Sequence, residues 1–249
     1  MKKALLAIVA VAVAVGGGLA AVNFALDRTS TTTRTVAEPV RELVVKSTGG
    51  AVRLVPTGER LEVRQTQHYV LGRPEVKLDV KNGVLTLESD CSAKVVKCYA
   101  DLRVALPAGV AVTVDAQSGD VDAREINVPS VHVQSDSGDV SLGLVGRQRL
   151  VWAHAGSGRL DVIAADARAV DARTDSGDVA VDVFRRPARR VVAHSDSGLV
   201  QVLARKGGYA IDARTKSGEL TIDGLTRDAR AANSIDARSD SGDIALNAR

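Results

Sequence analysis

Aromatic side chains are nearly missing from this chain. They make up 2% of 249 residues: Phe24, Tyr69, Tyr99, Trp152, Phe184 and Tyr209. Large rings fill wide interiors, so a chain that is 45% hydrophobic on Val, Ala, Leu and Ile builds a core that is real but thin. One methionine excludes a Met-rich adaptable groove, and one tryptophan excludes an aromatic cage. The scarcity of rings also argues against a carbohydrate-processing groove, which needs aromatic stacking beside its paired carboxylates. A net charge of only +3 does not point to a nucleic-acid binder. Two cysteines with no His or Cys cluster beside them do not make a zinc site.

What is present begins with a long apolar run. After Lys2 and Lys3, residues Ala4 to Val22 are all apolar or glycine, and the run extends to Leu26 with Asn23 its one polar residue. About 20 such residues span the hydrocarbon layer. The preceding lysines predict a single-pass membrane protein with a cytoplasmic N-terminus and an extracytoplasmic remainder. A cleaved signal peptide is the alternative, with Gly18-Leu19-Ala20 a poor small-x-small site. No cysteine follows the run closely, which excludes a lipoprotein anchor. In an exported chain Cys91 and Cys98 most simply form one disulfide closing a short loop. Residues 27–39, DRTSTTTRTVAEP, carry almost no large apolar side chain and read as a Ser/Thr-rich linker between membrane and domain.

The rest is organised by one phrase. TDSGDV at 174 returns as QSGDV at 117, SDSGDV at 135, AGSGRL at 155, SDSGLV at 195, TKSGEL at 215 and SDSGDI at 239. The serines before glycine (Ser118, Ser137, Ser157, Ser176, Ser197, Ser217 and Ser241) are 19, 20, 19, 21, 20 and 24 residues apart. A steady period near 20 marks a solenoid, in which each repeat buries its face against its neighbours. On both sides of Ser-Gly the hydrophobicity alternates with period 2: Val170, Ala172 and Thr174 inward before the turn, Val179, Val181 and Val183 inward after it. Each repeat is thus strand, tight turn, strand, with Ser-Gly placed to turn the corner.

Aligned across repeats, the inward columns keep their chemistry. One column reads Val133, Ala153, Ala172, Ala193, Ala213 and Ala237. The next reads Ser135, Ala155, Thr174, Ser195, Thr215 and Ser239. A third, after the turn, reads Val121, Val140, Leu160, Val179, Val200, Leu220 and Ile244. Such identity predicts parallel, in-register stacking about 4.8 Å apart, so the fold class is all-β, a parallel β-solenoid of about 20 residues per coil. An antiparallel meander is the rival. The small central columns predict that the two faces approach closely, and the Ser/Thr column that hydrogen bonds pass from coil to coil. Residues 107–249 carry the regular repeats, and 40–106 read as irregular N-terminal coils or a cap. There Leu43, Val45, Val52 and Leu54 point inward, and Asn82-Gly83 predicts a hairpin. The last strand, ending at Arg249, is expected to be an open edge, available for edge-to-edge self-association or a protein partner.

The recurring SDSGDV and DARTDSGDVAV phrases resemble a bacterial β-strand-repeat family of candidate adhesins, a domain of unknown function. The likeness covers 110–249 well and 40–106 loosely. It implies a β-solenoid outside the cell, often membrane-tethered, and supplies no catalytic residues to carry over.

Contiguous HSDSG at 194–198 does not make a catalytic triad, because neighbours on a strand face opposite ways. His154 and His194 share an outward column with Arg173 between them, too far apart for one zinc ion. Charge placement is more informative. The Ser-Gly corner is acidic (Asp120, Asp136, Asp139, Asp175, Asp178, Asp196, Glu219, Asp240 and Asp243), and stacked like charges there repel. Asp136 with Asp139, and Asp175 with Asp178, are candidate calcium ligands by analogy with Asp-rich β-rolls, although Arg159 and Lys216 interrupt the columns and the fixed nonapeptide spacing is missing. The opposite corner is basic: Arg147, Arg149, Arg168, Arg185, Arg186, Arg189, Arg190, Arg205, Lys206, Arg227 and Arg230. It is densest at FRRPARR, so Arg185, Arg186, Arg189 and Arg190 are the candidate binding residues, for anionic envelope polymers or lipid headgroups. The expected function is a non-catalytic, adhesin-like or envelope-binding surface module, with a structural or sensory scaffold as the alternative.

Overall fold

The computed structural model describes residues 27–91 and 97–249. The membrane segment expected at 4–26 lies outside them, and among the described residues no helix is long and apolar enough to cross a membrane. The fold is all-β. A first coil, β2 (Glu42–Ser47) and β3 (Val52–Thr57), is flanked in sequence by β1 (Arg28–Thr35) and by β4 (Glu62–Tyr69) and β5 (Glu75–Lys81). Two-strand coils follow: β6 (Val84–Asp90) with β7 (Cys98–Pro107), β8 (Ala111–Ala116) with β9 (Val121–Ile126), and β10 (Ser130–Ser137) with β11 (Val140–Gln148). Next come β12 (Leu150–Ser157) with β13 (Leu160–Ala167), β14 (Ala169–Ser176) with β15 (Val179–Val183), and β16 (Arg190–Ser197) with β17 (Val200–Ala204). The last are β18 (Gly208–Ser217) with β19 (Leu220–Asp223), a short β20 (Thr226–Arg227), and β21 (Ser234–Ser241) with β22 (Ile244–Ala248).

Each coil gives one strand to each of two 11-stranded sheets, ordered β1-β4-β7-β3-β9-β11-β13-β15-β17-β22-β19 and β20-β18-β21-β16-β14-β12-β10-β8-β2-β6-β5. Pairing is parallel except at the N-terminal end, where β1 with β4, β4 with β7, and β5 with β6 run antiparallel. The columns read from sequence are the observed rungs: Ala153 pairs with Ala172, Ala172 with Ala193, Ser195 with Ser239, and Val179 with Val200. Leu43, Val45, Val52 and Leu54 are buried as expected. Asn82 and Gly83 both have positive φ (53° and 79°) and close the β5–β6 hairpin, as a type I′ turn requires.

The corner has a sharper cause than turn preference alone. Gly177 has φ 134° and Gly198 φ 146°, a region closed to side chains. A Cβ on Gly177 would fall well inside 3.0 Å of the Gly158 carbonyl oxygen, and one on Gly198 would strike the Gly177 carbonyl in the same way. The contact repeats along Gly50, Gly119, Gly138, Gly158, Gly177, Gly198, Gly242 and Gly218, so the coils stack through one continuous column of glycine on carbonyl. The neighbouring hydroxyl column reinforces it. Ser195 Oγ donates to the Gly177 carbonyl (2.8 Å), Ser239 Oγ to Gly198 (3.1 Å) and Thr215 Oγ1 to Gly242 (2.8 Å), each reaching the preceding coil in the stack. Thr174 Oγ1 is buried with no partner.

Two expectations are corrected. The chain end is not the open edge, because β22 is paired on both sides, with β17 and with β19. The last coil in sequence slots between the two before it, and the open end is the β18–β19 coil. The longer 24-residue spacing supplies the chain to step back, and the inserted coil is the better core-former: Ile235, Ala237, Ile244 and Leu246 are buried, whereas Leu220 is 37% exposed. Tyr209, buried with its hydroxyl donating to the Arg205 carbonyl (2.8 Å), plugs the open end. A similar swap occurs at the other end, where β2–β3 lies between β6–β7 and β8–β9. The second correction concerns 27–39, which is no linker. Residues 28–35 form an eight-residue edge strand on β4. Its threonines are β-branched and suit a polar ladder, with Thr31 and Thr66 hydroxyls 3.3 Å apart across it. The disulfide Cys91–Cys98 forms as expected.

Gly177→Ala is expected to cost about 3 kcal/mol or more, since the αL strain is joined by a backbone clash. Gly109→Ala, at φ 88° but with open space around the new methyl, is expected to cost only about 1 kcal/mol. Denaturant midpoints of the two variants measure the difference, and equal losses would contradict the stacking role of the column.

Candidate functional site

At the corner opposite the glycines the coils are joined by connections of variable length, and these carry the arginines. Backbone bonds set their spacing. Arg149 N–H donates to the Pro129 carbonyl (2.8 Å), Arg168 N–H to Gln148 (2.9 Å) and Arg189 N–H to Arg168 (2.9 Å). Arg149, Arg168 and Arg189 therefore rise through three successive coils, about 4.8 Å per step. All three are exposed, and none has a carboxylate partner among the described residues. They line a shallow cleft of ≈ 490 Å³ together with Arg147, Arg186 and Pro187. Asp166 is the acid within it, and its Oδ2 lies 3.5 Å from Arg147 Nε and 3.6 Å from Arg186 Nε. Five guanidinium groups thus line a cleft that holds one carboxylate, and two of them pair with it.

Of the four residues singled out from sequence, Arg186 and Arg189 line this cleft and Arg185 and Arg190 do not. Arg185 turns toward the outer face of the first sheet, with its guanidinium carbon 6.0 Å from the Phe184 ring centre. Arg190 opens β16. Sequence reasoning missed Gln148 altogether. It is fully buried in the cleft wall, donating Nε2 to the Val145 carbonyl (2.8 Å) while Oε1 has no partner. Its signal was a polar residue in the inward phase of β11, between Arg147 and Arg149.

The acidic corner uses its carboxylates to bind the stack itself. Asp139 Oδ1 accepts from Arg159 N–H (2.8 Å), Asp178 Oδ1 from Leu199 N–H (2.9 Å), Asp120 Oδ1 from Asp139 N–H (3.0 Å) and Asp243 Oδ1 from Glu219 N–H (2.8 Å). A carboxylate accepting a backbone N–H from the next coil offsets the like-charge repulsion of the column. Asp136 and Asp175 are exposed, and Asp175 lies 3.8 Å from His154 Nε2. Among the described residues no group of three His, Cys, Asp or Glu side chains is placed to hold a metal.

The outer face of the second sheet carries the other polar groups. His154, Arg173 and His194 follow one another across β12, β14 and β16, as expected. His194 Nε2 lies 3.1 Å from Asp236 Oδ1, and Ser195 points inward to the Gly177 carbonyl, so no nucleophile meets a base there. Trp152 is stacked on His132, ring centres 3.9 Å apart and 7° from coplanar. Loss of water on burial pushes His132 below its usual value of 6.5.

These features define a stacked parallel-β protein with a charged connection corner. Residues 75–247 match the Toastrack DUF4097 family, and the chain belongs to it. Among solved structures, a candidate adhesin from Bacteroides fragilis NCTC 9343 is similar with a TM-score of 0.50 and 14% identity, over 88% of this chain and 97% of that one. A candidate adhesin from Parabacteroides merdae ATCC 43184 has a TM-score of 0.48 and 13% identity, over 89% and 97%. A candidate lipid-binding protein from Parabacteroides distasonis ATCC 8503 has a TM-score of 0.47 and 16% identity, over 88% and 96%. No curated protein matches. At such identities the likeness speaks to the fold.

Trp152 is the single tryptophan and so reports on His132. The depressed imidazole favours the neutral ring in the folded state, so its contribution to stability is complete above 6.5 and declines as pH falls from there toward the folded-state value. Trp152 emission is expected to be quenched as the imidazolium forms, with a midpoint below 6.5 that His132→Gln removes. A midpoint at or above 6.5 would contradict this environment.

Proposed function

We propose that this protein is a non-catalytic, extracytoplasmic surface module that holds a linear polyanion of the cell envelope along its arginine corner. The observation that carries the reading is the rise of Arg149, Arg168 and Arg189 through successive coils without carboxylate partners. Cations repeated at strand spacing suit an extended anion running along the stack axis better than a compact ligand. Arg147 and Arg186, half neutralised by Asp166, widen the field on either side, and a solvent-exposed array of this kind acts through screened electrostatics. An adhesin-like role agrees with the descriptions given to proteins of similar fold. The apolar segment at 4–26, with Lys2 and Lys3 before it, supports a membrane-tethered protein with this domain outside.

A second reading, a scaffold that binds a protein partner, is favoured by one observation: the open outer edge of β19, and of β18 beyond its two-residue pairing with β20, where Leu220 is exposed. Strand edges of this kind pair with other chains, a second copy included.

Retention of residues 27–249 on isolated cell envelopes, measured across a salt series, separates the two. Retention is expected to fall steeply with salt. At low salt, replacing Arg149, Arg168 and Arg189 together by serine is expected to weaken it about tenfold. Retention insensitive to both would contradict the polyanion reading and turn the search to partners of the β18–β19 edge.

A further inference from the structure

We infer that the N-terminal end of the stack rests directly on the lipid bilayer, with Leu71 inserted at the headgroup boundary beside the point where the membrane segment enters the domain. The inference rests on reading residues 4–26 as that segment. Chain geometry then carries it. The apolar run ends at Leu26, and β1 begins at Arg28, already paired with Tyr69. Two residues extend no more than about 7 Å, and the headgroup layer on one side of a bilayer is about 5–7 Å deep. With no linker to lift it away, the first rung of the domain lies within the headgroups.

The residues gathered at that rung suit such a place. Asp27 is paired with Lys97, whose carbonyl accepts from Val70 N–H (3.1 Å). The entry point is thereby tied to the β4–β5 loop one residue before Leu71. Leu71 is 74% exposed, more than any other large apolar side chain among the described residues. The loop that carries it is held rather than loose. Gln67 Nε2 donates to the Pro74 carbonyl (2.7 Å), Arg73 Nε to Gln67 Oε1 (2.8 Å) and Arg73 Nη2 to Ser30 Oγ on β1 (3.3 Å). Arg28 and Arg73 are exposed at the same end, cations suited to anionic headgroups. A fixed leucine flanked by arginines, at the exit of an apolar segment, is the arrangement of an interfacial contact. A lone leucine of equal exposure elsewhere would be ordinary surface.

The test uses the full chain in vesicles of phosphatidylcholine and phosphatidylglycerol, with Trp152→Phe as background and Leu71→Trp as the probe. Leu220→Trp, at the opposite end of the stack, serves as reference. With lipids brominated on their acyl chains, the tryptophan at 71 is expected to lose about half its emission, as a side chain at the headgroup and acyl boundary should, while the one at 220 is unchanged. A chain that floats with the vesicles while its tryptophan at 71 stays as bright as that at 220 overturns the contact. A chain that does not float overturns the membrane segment beneath it.

Discussion

The close approach of glycine to carbonyl at each Ser-Gly corner is the constraint from which the rest of this molecule follows. No residue with a side chain fits there, because φ is positive and the preceding coil's carbonyl already fills the space where Cβ would be. Once that contact repeats, register is fixed, since a slip of one residue would bring a side chain onto a carbonyl. Fixed register gives the columns their uniform chemistry. It lets Asp120, Asp139, Asp178 and Asp243 cap N–H groups of the following coil, and Ser195, Thr215 and Ser239 of the adjoining column reach the preceding coil's glycine carbonyl. The acidic edge is therefore part of the adhesive that holds the coils together, in place of a row of idle charges.

With one corner so constrained, the other is free. Connections there vary in length, tolerate proline, and bear side chains limited only by the backbone rungs beneath them. Three arginines in consecutive rungs form a ladder because the glycine corner across the coil sets the same rise for both edges. Function on this reading belongs to the corner that folding leaves unconstrained, while the repeated phrase that dominates the sequence is structural.

Much of this was legible in residues alone. The 20-residue period, the inward columns, the Asn82-Gly83 turn and the disulfide all appear in the structure, because each depends on local pattern or on identity between repeats. The ends were not legible. Threonine-rich 28–35 lacks the apolar alternation that announces a strand, and folds only because β4 offers a matching polar edge. Stacking order at the C-terminus is a competition between two similar coils, decided by burial: the coil of β21 and β22 buries Ile235, Ala237, Ile244 and Leu246, whereas Leu220 of β19 is left exposed at the edge. The arginine cleft was half visible, since charge density pointed to 185–190 while the connectivity of rungs brings in 147, 149 and 168. Gln148, a buried amide among arginines, had no pattern of its own.

The order of coils at the C-terminal end tests this account most directly, since it departs from chain order and follows only if the coil with the better apolar core takes the interior place in the glycine column. Amide hydrogen exchange, read strand by strand, reports it. The account predicts that 235–239 and 244–247 in β21 and β22 are protected to the level of β16 and β17, while 220–223 in β19 exchange much faster. Rapid exchange in β22 with strong protection in β19 would mean that the coils stack in chain order, and would contradict it.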